Sequence, residues 1–286
     1  MAHVRCEFVL PAARRGGTRE PQRQWDKTLG VNPDFRAVRA ICFDLDDTLC
    51  AYWNAAKSGL RATFERHPLA GMSADDMVRH WAAVFREFSP KIKESEWYEG
   101  YLESGEPTRT EHMRRTLRRI GVEDEALARE LSECYMGERD RALALFEDAG
   151  PVLRSLHGRY KLGLITNGPA DIQRQEIATL GIAPFFDLIL IEGEMKIGKP
   201  HASVFARAAE ALGCSPHEVL FVGNSYAHDV VPALANGWRA VWVRRESDAP
   251  PSADPAPIKA EQAPMDGPQA DAVISNLREI QDLLSV

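Results

Sequence analysis

Asp44, Asp46 and Asp47 follow the apolar run Ala40-Ile41-Cys42-Phe43 almost at once, and Thr48 comes next. Carboxylates this close repel one another. A helix-capping turn needs one such acid, not three. A bound cation together with a covalent step accounts for the cluster. Asp44 can attack an electrophile as a carboxylate. Asp46, two residues on, can protonate a leaving oxygen and then deprotonate water. Thr48 reads as a support of the turn, and Asp47 as a surface or turn-stabilising residue without a chemical role.

The run that delivers these acids reads as a strand buried on both faces, as in a parallel sheet. Its acids then stand just past its carboxyl end, where open α/β sheets bind ligands. After Leu49 the pattern turns helical for roughly a hundred residues. Ser73 is placed to cap a helix whose first turn holds Asp75 and Asp76. Met77, Trp81, Val84, Phe85 and Phe88 share one face of it. Residues 108–120 and 123–135 read as an antiparallel helix pair joined at Gly121. From about residue 144 strands and helices alternate. Strands are expected at 160–165, 186–191, 219–222, 239–243 and 272–274. Helices are expected at 171–180 and 200–212, the second with Pro200 at its start. Right-handed crossovers make this an α/β fold with a doubly wound parallel sheet. The expected organisation is a disordered extension over 1–36, a core over 37–52 and 145–286, and a helical cap over 53–144. Residues 244–270, rich in Pro and Asp, should be a loop.

Because parallel strands present their carboxyl ends on one edge, four distant points of the chain must meet. They are Asp44/Asp46/Thr48, Thr166/Asn167, Lys199 and Asn224/Asp229. Carboxylates, a hydroxyl heading a turn into a helix, and one lysine are what phosphoryl transfer requires. Thr166 and Asn167 lead into a helix N-terminus, which offers N–H groups to phosphate. Lys199 at a helix start implies an anionic neighbour. Mg²⁺ suits so oxygen-rich a site.

These residues resemble the motifs of the haloacid dehalogenase (HAD) superfamily. Asp44-Leu45-Asp46-Asp47-Thr48 is similar to its DxDxT motif, and Leu164-Ile165-Thr166 to its strand ending in Ser or Thr. Gly198-Lys199-Pro200 is similar to its lysine motif, and Gly223-Asn224-Ser225 with Asp229 to its acidic pair. The resemblance runs from about Val38 to the C-terminus and implies a Rossmann-like core with a small helical cap. It implies a nucleophile at Asp44, an acid/base at Asp46, and phosphate binding by Thr166 and Lys199. It also implies Mg²⁺ held by Asp44, the Asp46 backbone carbonyl and the Asn224/Asp229 motif. Asn224 departs from the family, which has Asp at that position as a metal ligand. The expectation is weaker Mg²⁺ binding, with Asn224 ligating through its amide oxygen or Asp229 carrying the anionic share.

The expected activity is Mg²⁺-dependent hydrolysis of a small phosphomonoester of phosphoglycolate, sugar phosphate or nucleotide type. A C–halogen hydrolase is the first alternative, and Asp46 counts against it. A phosphonatase would need a Schiff-base lysine in the cap, for which Lys57 and Lys91 are the candidates. A catalytically weakened binding protein has only Asn224 in its favour. Tyr52 and Trp53, just after the nucleophile loop, are the aromatics placed to face substrate. His80 and His112 read as structural or solvent-facing, His228 as surface polar, and Arg114, Arg115, Arg118 and Arg119 as a solvated face. The net charge of −7 argues against nucleic acid or an anionic membrane as partner. Five scattered cysteines with no Cys/His cluster suggest neither zinc nor a disulfide framework, and fit a reducing cytoplasm. A monomer or a homodimer is expected.

Overall fold

The structure is a computed structural model and describes residues 33–69, 71–246, 249–253, 263–264 and 267–285. Most of the expected N-terminal extension lies outside the described residues, as does much of the loop expected over 244–270. The last residues of that extension belong to a 3₁₀ turn, Pro33–Ala37, which buries Phe35.

Six parallel strands form one sheet in the order β3-β2-β1-β4-β5-β6. They are β1 (Ala40–Phe43), β2 (Lys161–Thr166), β3 (Leu188–Ile191), β4 (Val219–Gly223), β5 (Arg239–Val243) and β6 (Ala272–Ile274). Side chains of a strand alternate between faces, and here both faces are dry. Ile41, Phe43, Leu220 and Val222 pack on one side with α6 (Ala149–Leu156), α7 (Ala170–Leu180) and α11 (Glu279–Leu284). Ala40, Cys42, Val219 and Phe221 pack on the other with α9 (Ala202–Leu212) and α10 (Val231–Ala235). This is the doubly wound α/β architecture expected of continuous apolar strands. Among the described residues, no helix is long and apolar enough to cross a membrane.

Between β1 and β2 the chain makes a helical insert of α1 (Tyr52–Arg66), α2 (Ala74–Phe88), α3 (Trp97–Glu103), α4 (Glu106–Arg118) and α5 (Glu125–Ala142). It leaves and returns at one place, where an isolated bridge pairs Cys50 with Leu145. Its own core gathers Leu60, Phe64, Met77, Trp81, Met113 and Leu131. Ser73 caps α2, accepting from the Asp76 N–H while the Asp76 carboxylate accepts from the Ser73 N–H, as its spacing indicated. α5 runs past the expected end at residue 135, because Arg139 in its charged last turn is buried rather than solvated. α9 starts at Ala202 with His201 as its cap, so Pro200 stands ahead of the helix and not in it.

His112 of α4 is buried in this insert, its ring stacked on Trp81 at 4.3 Å between centroids, and its Nε2–H donates to the Trp81 carbonyl at 3.0 Å. Burial pushes its pKa from the usual 6.5 down to about 4. A histidine depressed in the folded state stabilises the fold above its unfolded pKa and loses that contribution as pH falls towards 4. The loss approaches about 3 kcal/mol. Urea unfolding of wild type and His112→Asn at pH 7.5 and 5.0 isolates it from the acid-stabilised carboxylates. The variant is expected to lose less stability than wild type on acidification; equal losses would clear His112 of the effect.

Candidate active site

The four convergence points do meet at the carboxyl edge of β1, β2 and β4. A cavity of about 490 Å³ there is lined by Asp44, Asp46, Thr166, Asn167, Lys199, Asn224 and Asp229, among others. Every site residue named from the sequence is therefore in one place.

Asp44 and Lys199 form its centre. Lys199 Nζ donates to Asp44 Oδ1 at 2.7 Å and to Asp229 Oδ1 at 2.6 Å. All three side chains are almost wholly buried. Burial alone would depress the lysine, but Asp229 and then Asp44 overcome it and hold the ammonium above its ordinary pKa. This is the anionic neighbour that a lysine so near a helix start implied. Burial raises Asp44 to about 6, with Lys199 opposing and Asp229 adding to the rise. Asp229 Oδ2 accepts from the Ser225 N–H at 2.9 Å. Both oxygens of Asp229 are thus engaged, one by the lysine and one by its own turn.

Thr48 is the hinge between the nucleophile loop and β4. Its Oγ1 donates to Asp44 Oδ2 at 3.0 Å and lies 3.3 Å from Asn224 Oδ1. One hydroxyl thus gathers a carboxylate oxygen and an amide oxygen, which with a backbone carbonyl make the kind of hard donor set that Mg²⁺ takes alongside waters. The residues fit that ion. Asp47 is buried, not at the surface, with a positive φ of 55°. Its Oδ1 accepts the Trp53 N–H at 3.3 Å in the first turn of α1, so the acid without a chemical role ties the loop to the insert.

Asp46 is half-buried and faces α7. Gln173 Nε2 donates to Asp46 Oδ2 at 3.3 Å and to Glu176 Oε2 at 3.0 Å. Burial raises Asp46 to about 6, the charge of Asp44 adds to the rise, and Arg139 opposes it. A carboxyl near 6 exchanges protons readily at neutral pH, as an acid/base must. Arg139 comes from α5 of the insert; its Nη2 lies 3.0 Å from Glu176 Oε1, and both side chains are buried.

The turn after β2 is fixed from several sides. Thr166 Oγ1 donates to Gln173 Oε1 at 2.6 Å. Asn167 Oδ1 accepts from the Lys199 N–H, and its Nδ2 donates to the Lys199 carbonyl, both at 2.8 Å. Gly168 has φ 134°, a conformation that side chains rarely adopt. Its N–H donates to Glu192 Oε2 at 3.0 Å. Glu192, which opens the short helix α8 (Glu192–Met195) directly after β3, also accepts from Lys93 Nζ at 2.6 Å and from the Tyr98 hydroxyl at 2.9 Å, both from the insert.

Gln173, Glu176, Glu192, Lys93, Tyr98 and Arg139 are functional neighbours that motif reading missed. One signal existed for two of them. Gln173 and Glu176 share the buried face of α7 with Ile172 and Ile177, and polar residues on an apolar stripe are informative. Tyr52 and Trp53 line the cavity as expected, and His228, exposed, lies at its rim. Lys93 is the insert lysine at the cavity; Lys57 and Lys91 are not among its lining residues. Arg114 and Arg115 pair with Glu111, Arg118 with Glu123, and Arg119 with Glu87.

The haloacid dehalogenase-like hydrolase model matches residues 38–237, and a second HAD-hydrolase-like model matches 196–280. The chain is 35% identical to the phosphoserine phosphatase of Thermus thermophilus over 66% of this chain and 65% of that protein. It is 27% identical to the N-acylneuraminate-9-phosphatase of Rattus norvegicus over 77% of this chain and 88% of that protein. It is 30% identical to the glyceraldehyde 3-phosphate phosphatase of Methanopyrus kandleri over 73% of this chain and 84% of that protein. Among solved structures, the HAD-hydrolase YfnB from Bacillus subtilis, bound to magnesium, superposes with a TM-score of 0.65 at 20% identity, covering 87% of this chain and 99% of that one. The 2-haloacid dehalogenase from Pseudomonas syringae pv. Tomato DC3000 gives 0.56 at 25% identity, covering 87% of this chain and 98% of that one.

Proposed function

The chain belongs to the haloacid dehalogenase-like hydrolase family, and from that premise we propose that it is a Mg²⁺-dependent phosphomonoesterase acting on a small phosphorylated metabolite in the cytoplasm. The observation that carries the reading is the buried Asp44–Lys199–Asp229 array beside Asp46. The helical insert serves as the cap over it. Lys199 and the Thr166–Asn167 turn hold the phosphoryl oxygens. Asp44 attacks phosphorus, the ester P–O bond breaks, and Asp46 gives its proton to the departing oxygen. Asp46 then takes a proton from water as that water attacks the aspartyl-phosphate, and Asp44 is restored. Asp229 acts by holding Lys199 in place. Asp44, the Asp46 backbone carbonyl and Asn224 would hold Mg²⁺, which when bound supplies positive charge against the phosphoryl group. Asp46 supports this chemistry over C–halogen hydrolysis, which needs no proton delivered to a leaving oxygen.

Hydrolysis of p-nitrophenyl phosphate with Mg²⁺, and its loss on adding EDTA, is the test. A folded protein that releases no p-nitrophenol under Mg²⁺ would overturn the reading. The same assay weighs position 224. Restoring a full negative charge with Asn224→Asp is expected to lower the half-saturating Mg²⁺ concentration roughly tenfold, since ligand charge sets affinity for hard cations. An unchanged Mg²⁺ titration would remove residue 224 from the metal site.

A further inference from the structure

A second cavity, of about 300 Å³, opens inside the insert and shares Tyr52, Phe85, Lys93, Tyr101, Pro169 and Ile172 with the first. The two form one continuous cleft, with the phosphoryl machinery at its lower end. The upper lining is aromatic, with Trp81, Phe88 and Tyr135 among its walls. It also holds three cations, Lys93, Arg109 and Arg139, and no Asp or Glu. That imbalance is absent from the lower cavity, where carboxylates abound.

Two of the three cations are already matched. Lys93 pairs with Glu192. Arg139 pairs with Asp140 and Glu176. Arg109 of α4 is different. Its Nε donates to the hydroxyl of the buried Ser132 at 3.1 Å, which orients the guanidinium. Its terminal nitrogens meet no hydrogen-bond or ion-pair partner among the described residues. The other titratable groups in the lining are uncharged at physiological pH: burial holds the phenols of Tyr52, Tyr101 and Tyr135 above their ordinary range, and His112 below its own. Burial first, and then the charge of Arg139, depress the arginine below its ordinary pKa; Tyr135, Glu106 and Asp171 oppose the shift at a distance, without a hydrogen bond or ion pair to it. It nonetheless stays charged, as arginine does in proteins. A partly buried guanidinium with both terminal nitrogens unused is costly to maintain and is the geometry that binds a carboxylate through two parallel N–H bonds.

We propose that the end of the substrate remote from its phosphate carries a carboxylate, and that Arg109 binds it. One unmatched guanidinium meets one carboxylate charge for charge, whereas a second phosphate would bring more charge than this lining leaves unmatched. The aromatic walls take an apolar or planar body between the two ends. Arg109 is then the residue that selects among phosphomonoesters, since a partly buried cation left unpaired in the occupied cleft penalises every ligand lacking the anion. The inference deepens the phosphatase reading and rests on it only for what occupies the lower end.

Calorimetric titration of the full chain with Mg²⁺ tests this without turnover. The ligands are non-hydrolysable phosphonates bearing a carboxylate at graded distances, including (4-carboxyphenyl)methylphosphonate. Each is compared with its carboxamide and with the matching bisphosphonate. At the best spacing the carboxylate is expected to bind at least about tenfold tighter than the carboxamide. Arg109→Met is expected to bring that ratio close to one, and Arg109→Lys to keep part of it. Thermal unfolding checks that both variants fold; if Arg109→Met does not, the wild-type ratio and Arg109→Lys still decide. Equal affinity for carboxylate and carboxamide in wild type, no binding of either, or preference for the bisphosphonate would overturn the proposal. A strong carboxylate preference in a protein that fails to hydrolyse p-nitrophenyl phosphate would retain the anion site and remove the phosphatase reading instead.

Discussion

Asp44→Asn is expected to lower phosphomonoester turnover by about 10⁴-fold or more while leaving the fold intact. The size follows from the role, because an amide oxygen cannot form the acyl-phosphate on which the second half of the reaction depends. The preservation of the fold follows from the surroundings. Asp44 is buried, and burial is the main cause of its raised pKa, so the native state already bears a cost for its charge. Asparagine removes that cost and keeps an oxygen for the Thr48 hydroxyl, which lies 3.0 Å from Asp44 Oδ2. Lys199 keeps its 2.6 Å contact with Asp229. Stopped assays with p-nitrophenyl phosphate, alongside thermal unfolding, separate the two effects. Substantial remaining turnover in a folded variant would remove Asp44 as nucleophile.

Lys199→Met should be damaging in both respects. The lysine is the cation between Asp44 and Asp229, and methionine leaves two buried carboxylates facing each other. Removing one partner of a buried ion pair costs about 3–5 kcal/mol. Turnover should fall about 10³-fold with the loss of a charge on the phosphoryl oxygens. The stability deficit has a pH signature. Without the ammonium, which opposes the rise at Asp44, the folded-state pKa of that carboxyl climbs further above its unfolded value. A group raised in this way stabilises the fold at low pH and loses that contribution as pH rises. The deficit relative to wild type is therefore expected to be largest near pH 8 and to shrink towards pH 5. Urea titrations at both ends check it. A deficit independent of pH would mean that Lys199 stabilises by packing and not by charge.

The contrast between these residues and their neighbours explains what the amino-acid order could disclose. Asp44, Thr166 and Asn224 each stand at a strand end, and Lys199 lies in the connection that follows β3. A parallel sheet brings such ends together whatever the loops do, so convergence was legible. The expected strand at 239–243 coincides with β5 for the same reason, a short apolar run bounded by turn residues. Glu192, Lys93 and Tyr98 offered no comparable signal. Their meeting depends on how the insert leans on the core, which local periodicity does not encode. Arg139 was missed because a charged last turn normally faces water, and here it is buried against Glu176. Of the two readings of Asp47, the turn-stabilising one agrees with its link to the Trp53 N–H and the surface one does not, because burial and a positive φ are properties of a turn already folded.

Glu192 carries a consequence for how the reaction must end. This one carboxylate is held by two insert side chains, Lys93 and Tyr98, and by the Gly168 N–H beside the phosphate turn. Any separation of insert from core strips it of two donors together, and only water can replace them. Departure of the product and wetting of the chamber wall are therefore a single event. In the proposed cycle the aspartyl-phosphate would be shielded from bulk solvent for as long as that three-way grip persists, and the lifetime of the grip would set an upper bound on how fast the cycle can turn.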